Sequence, residues 1–432
     1  MRGMVAITPT SQALLDRYDA VKSNFVGADV PWLAALRDAS AAAFRTQGLP
    51  TSRVEDWKYT NLRALDKIAL DGGATRDVTV TDLPARAGAG PRLVFVDGRY
   101  REDLSHSGTL TAGVRFSHVG GLLESDKDLI EPSLADTDDA MPLLALNGAF
   151  QEDGYVLVLD GAAQANELVE ILHVDAGAAV NQPRNIIAVG AGAKVRLFET
   201  HMGSGTSTQF FNGATLVTVE EGAEVEHLRH QIQGAGTVHV NTIRARVASG
   251  ASYNSFVLAE GGQMSRDEIQ VALTAKAAAT KLYGVYLGSG SQVLDNTTVI
   301  GHQALDTISE ENYRGALNDQ SRGVFQGNIL VERGADGTDG RMSNKTILLS
   351  GDAEINSKPQ LEIYADDVQC AHGSTAGELD EEALFYLRSR GIPEAQAKAI
   401  LVEGFLAEVM DEFDLGELSG AFRARISSWM EV

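Results

Sequence analysis

A single cysteine, Cys370, is all the chain has, so no disulfide can close within it. Basic residues are also short: 36 Lys and Arg stand against 59 Asp and Glu, a net charge of −23. So acidic a surface repels phosphate backbones and excludes nucleic acid as a partner class. No apolar run approaches the ~18 residues needed to cross a bilayer. The opening MRGMVAITPTSQALLDRY carries charge early and has no apolar stretch, so no secretory leader is expected and a cytosolic protein is. Proline is sparse at 10 of 432 residues, whereas glycine reaches 44. Many glycines with few prolines suit short strands that turn repeatedly. Hydrophobic residues at 44% allow a large core and exclude global disorder.

Catalytic motifs are missing too. Without a GxxxxGK[ST] loop the chain is not itself a P-loop ATPase. Gly190-Ala191-Gly192 begins like a dinucleotide fingerprint, but Val195 replaces the last glycine and no βαβ unit surrounds it. Neither a GxSxG elbow nor an HExxH helix occurs. His227 and His230 form an HxxH pair, yet GAEVEHLRHQ reads as a strand, where a separation of three puts them on opposite faces. Solvated or edge histidines are expected there. The Asp336–Gly340 segment lacks the spaced carboxylates of a calcium loop and reads as a turn.

What is present has a clear order. Leu14, Leu15, Tyr18 and Val21 recur at helical spacing, as do Trp32, Leu36, Ala39 and Ala43. Pro31 suits a helix start, and Gly48-Leu49-Pro50 a stop. From about Arg92 strand-like runs follow one another between glycine-rich breaks. Ile269, Val271 and Leu273 alternate with Glu268, Gln270 and Ala272, the pattern of one buried face. Turn-like pairs at Gly222-Ala223, Gly250-Ala251 and Ala278-Ala279 recur at one period, with Gly334-Ala335 two steps on and Asp306 at the skipped place. Such a repeat predicts a parallel β-helix, with a large β-sandwich as the alternative; periodicity leaves both open. Past residue 374 helices return. Asp380 can cap LDEEALFYLRSR, Gly391 ends it and Pro393 opens the next. Leu415, Leu418, Phe422, Ile426 and Trp429 form a last apolar stripe.

One constellation carries chemistry. If VQCAH is a strand, Val368, Cys370 and His372 share a face, with thiol and imidazole in reach of one ligand. The alternative is a buried cysteine acting as a small hydrophobe beside a satisfied histidine.

SKPQLEIYADDVQCAHGSTAGELDEEALFYLRSRGI, residues 357 to 392, closely resembles the C-terminal signature of the SufB/SufD family of iron–sulfur cluster assembly proteins, on its SufD side. RVEDWKYTNLRAL, residues 53 to 65, resembles the family's N-terminal motif. The resemblance implies a mainly β fold: a right-handed parallel β-helix core over 76–373, between helical domains at 1–75 and 374–432. It implies a non-catalytic scaffold that pairs with a SufB-like sister chain near the C-terminal end of the β-helix. It also implies docking of a SufC-like ABC ATPase through the C-terminal helices, where Leu384, Phe385, Leu387, Arg388 and Arg390 offer a mixed apolar and basic surface. Deleting residues 380–432 is expected to remove that docking and leave the β core folded. By motif match His372 is the histidine this side of the pair gives to a nascent cluster, and Cys370 the cysteine two residues before it. The cluster is transient and shared, so this chain alone holds no stable cofactor; its residues give no physical reason for a flavin site. Two other readings remain: a β-helix enzyme acting on acidic polysaccharide, which −23 and a leaderless start fit badly, and a homodimeric scaffold without a sister chain.

Overall fold

The computed structural model describes residues 7–70, 75–138 and 140–431. Residues 1–6 of the segment read as leaderless, and 71–74 beside the expected boundary at 75, lie outside the described residues.

From Val169 onward the chain alternates between two sheets, and the strands pair in parallel with those one coil before and, until the last coil, one coil after. The result is a parallel β-solenoid of about 8 turns, flanked by N- and C-terminal helices. Parallel neighbours one coil apart exclude the sandwich, whose strands join through antiparallel hairpins and Greek keys. Side chains alternate in and out, so one residue in two enters the lumen. Ile269, Val271 and Leu273 do so as expected, each fully buried in the main core.

The coil period comes from one repeated corner. A residue with positive φ precedes a small buried one at Gly192, Gly222, Gly250, Ala277, Asp306 and Gly334. The alanines that follow five of these, Ala193, Ala223, Ala251, Ala278 and Ala335, are almost wholly buried. The third pair sits one residue earlier than Ala278-Ala279: the left-handed residue is Ala277 at φ 58°. Glycine adopts that conformation freely, whereas alanine brings its Cβ against the next carbonyl. Ala277→Gly is therefore expected to stabilise the fold by about 1 kcal/mol. The check is a higher urea midpoint at unchanged slope; a lower midpoint would refute the assignment.

Three helices, Val119–Leu122, Lys127–Leu134 and Pro142–Phe150, interrupt the stretch read as strands after Arg92. The last, PLLALNGAF, is buried at every position after its proline, so it has no polar face and no amphipathic signature. It packs with Pro9–Val21 and Pro31–Gln47 over Phe210, Val238, Val240 and Met264 on the outside of the second sheet. The 53–65 segment is pinned along that face. Trp57 lies under the Arg266 guanidinium, 4.2 Å from its centre, and Arg266 Nη1 donates to Asp295 Oδ2 at 2.7 Å. The Thr60 hydroxyl donates to the same carboxylate oxygen.

At the other end, Glu394–Glu412 and Ser419–Met430 cover the outside of the first sheet. Leu415, Leu418, Phe422 and Ile426 bury against Leu228, Phe256, Leu258 and Tyr283, with Trp429 at the margin. This corrects the expected effect of deleting 380–432. The deletion would strip the apolar cover from Leu228, Phe256, Leu258 and Tyr283 on the outside of the sheet, each worth ~1.5–3 kcal/mol of burial, and would not leave the β core intact. Of the three C-terminal α-helices, the Glu381–Ser389 helix alone buries no residue of its own among the described residues.

Candidate functional site: the open end of the solenoid

The two ends of the solenoid differ. Its start is blunted by short antiparallel strands, Arg99–Tyr100 on one sheet and Val114–His118 on the other. Its finish is not. Among the described residues, Glu354–Ile363 pairs only with the preceding Arg322–Val331, and Val368–Gly377 only with Thr338–Leu348. Two ten-residue edges thus present unpaired amides and carbonyls, a template for a further coil.

Register decides what those edges carry. Gly340 and Met342, on the inward face of their strand, pair with Cys370 and His372. Val368, Cys370 and His372 therefore continue the lumen row, and having no next coil above them, they line its mouth. Cys370 is half-buried against the core, and a Cβ built on Gly340 would lie 3.5 Å from its sulfur. His372 is exposed. The two Cα atoms are two residues apart on one strand, about 6.7 Å, so thiol and imidazole aim the same way. Ile355 and Leu361, packed against the lumen core, line the same mouth from the second sheet. Those partners belong to the mouth through register alone, which no local motif reveals.

Burial raises the Cys370 thiol above its ordinary range, Asp339 adds to this, and a hydrogen bond from the Gly340 backbone partly offsets it. The isolated chain therefore carries a protonated, weakly nucleophilic thiol rather than a ready thiolate. An arriving metal would have to displace that proton.

Four of the expected docking residues occupy the Glu381–Ser389 helix just beyond the mouth, and Arg390 caps its C-terminal end. Asp380 caps it, accepting from the backbone amides of Glu382 and Ala383. Phe385 and Tyr386 are 74% and 56% exposed, whereas Leu384 and Leu387 are half-buried. Arg388 pairs with Glu394 at 3.4 Å, and Arg390 stacks on Tyr386. Tyr386 was not singled out in the sequence, although a helix with two adjacent exposed aromatics is a recognisable sign.

The HxxH pair does split to opposite faces, but neither histidine is solvated. His227 enters the lumen and its Nε2–H donates to Glu199 Oε2, 2.8 Å away; His230 turns outward to Glu260 at 2.7 Å, under the cover of Arg425. His227 is buried by the lumen itself, and His230 because the outside of this sheet is covered by helices. Sequence reading also missed a buried group of His173, Glu199 and His201 in the lumen. Its one sequence signal is that His173 and His201 stand a single coil apart, and they are register partners.

Among the described residues, no helix is long and apolar enough to cross a membrane. The family model described as SUF system FeS cluster assembly, SufBD core domain, matches residues 172–405, and that of the SufBD protein N-terminal region matches residues 8–69. The chain is 31% identical over 379 residues to the iron–sulfur cluster assembly protein SufD of Escherichia coli, covering 84% of this chain and 85% of that protein. It is 26% identical over 413 residues to an iron–sulfur cluster assembly SufBD family protein of Synechocystis, covering 91% and 90%. With the core model spanning more than half its length, this solenoid belongs to the SufBD family of the SUF iron–sulfur cluster assembly system.

Proposed function

We propose that the chain is a non-catalytic scaffold subunit that pairs, through the open end of its solenoid, with a SufB-like sister and helps form a nascent cluster there. The observation that carries this is the uncapped last coil, whose lumen row ends in exposed His372 beside half-buried Cys370. Two bare ten-residue edges and a half-open apolar mouth suit a second solenoid of the same kind better than solvent. His372 supplies an imidazole ligand and Cys370 stands beside it, while the thiolates that one chain cannot provide come from the sister. The cluster is cargo, held transiently between the chains. This reading places the assembly in the cytoplasm.

A SufC-like ABC ATPase docks on the Glu381–Ser389 helix. Its support is an exposed aromatic pair on a helix that buries nothing in this chain, next to Arg388 and Arg390. Phe385→Asp is expected to abolish co-purification with the ATPase while leaving the melting temperature unchanged, because the side chain touches no core. Retained co-purification would disprove the docking site. The pairing is tested by co-expression with the sister chain and ATPase followed by mass measurement: a mixed complex supports it, and a homodimer that excludes the sister overturns it.

A further inference from the structure

Deep in the first coils, roughly six coils and ~30 Å from the mouth, the lumen holds a carboxylate with no obvious counter-charge. Glu199 is fully buried, and among the described residues only histidines stand within ion-pair distance of it. The nearest luminal cation, Arg229, is taken by Asp267. An ionised carboxylate buried without compensation is expensive, so something must balance it.

The surroundings divide its two oxygens. Oε2 is accounted for: the Tyr155 hydroxyl donates to it at 3.2 Å and His227 Nε2 lies 2.8 Å away, with His227 Nδ1 in turn 3.1 Å from the Tyr253 hydroxyl. Oε1 is not. It faces His173 Nε2 at 3.0 Å and His201 Nε2 at 3.3 Å, yet neither ring aligns an N–H with it. Both nitrogens of both rings, and Oε1 itself, are buried without a hydrogen-bond partner among the described residues. Five buried polar atoms without a partner in one place are too many for an ordinary core. Stacking of His173 on Phe95 and on His201 explains the ring planes but satisfies none of these nitrogens.

We infer that His173, Glu199 and His201 form a metal site for a divalent first-row transition ion such as Zn²⁺, Co²⁺ or Fe²⁺. Their donor atoms lie within 4.8 Å of one another. Adjacent ligands on such an ion, each ~2.1 Å from it, stand about 3.0–3.4 Å apart, the separation seen from Oε1 to each imidazole. Two imidazoles and a carboxylate suit these ions by ligand type. Tyr155 and His227 then orient the carboxylate from behind, the usual part of outer partners. Being closed to solvent, the site would take its ion during folding.

The test is the metal content of the full-length protein made in cells grown with added zinc, and separately cobalt, then dialysed against EDTA. About one equivalent per chain is expected, with cobalt giving visible d–d absorption. Glu199→Gln, which keeps the shape, and the double variant His173→Gln/His201→Gln should each lose at least ninety per cent of it. His372→Ala should lose none, which separates this site from the mouth. Wild-type protein with no metal above background, or equal content in Glu199→Gln, would reduce the cluster to a stacked structural column and overturn the inference.

Discussion

His372→Ala protein is expected to assemble with the sister scaffold and the ATPase in normal yield but to build clusters at least tenfold more slowly. The side chain is exposed at the mouth and makes no hydrogen bond among the described residues, so its removal leaves no cavity and no orphaned partner. What disappears is one ligand, and loss even of a group that merely supports a ligand costs 10–100-fold. Cys370→Ser should behave differently. The sulfur packs in part on the core, so that variant should lose a little stability before it shows any defect in assembly. Reconstitution with iron and sulfide separates the two, read as complex yield and cluster absorbance. A wild-type rate from His372→Ala would leave this histidine without the proposed role.

Val271→Asp is expected to unfold the solenoid outright or to cost several kcal/mol. The residue is 2% exposed, points into the lumen, and stands between Ala245 and Ile300 in adjacent coils. A carboxylate there has no cation within the apolar rungs around it. Because each coil rests on the next, the damage should propagate beyond the local strand. Far-UV circular dichroism during heating measures it, with Val271→Ala as the gentler comparison at about 2 kcal/mol. A melting curve unchanged in the aspartate variant would contradict the inward assignment.

Period and punctuation made much of this architecture legible. Ile269, Val271 and Leu273 announced an inward face, and the glycine–alanine corners announced coils, because the left-handed turn and the small residue behind it are demanded at each coil. The slip at Ala277 has the same origin: nothing in the letters marks an alanine as left-handed. The helix Pro142–Phe150 escaped because burial on all sides erases the stripe by which helices are recognised. At the site, alternation alone put Cys370 and His372 on one face. The residues opposite them, and the five orphaned atoms around Glu199, depend on register between strands far apart in sequence, which local patterns do not encode. The covering role of the C-terminal helices was hidden for a related reason. An apolar stripe declares that it is buried, not against what.

The mouth of the solenoid as the pairing surface is the central claim, and amide hydrogen exchange tests it most directly. Exchange should be followed over residues 354–363 and 368–377 in the chain alone and in its complex with the sister scaffold. Alone, these strands are bonded on one side only, so part of their amides should exchange quickly. In the complex those amides should slow sharply, while the edge at Arg99–Tyr100 stays unchanged. Exchange that remains fast at 354–363 and 368–377 in a complex of proven composition would contradict the account.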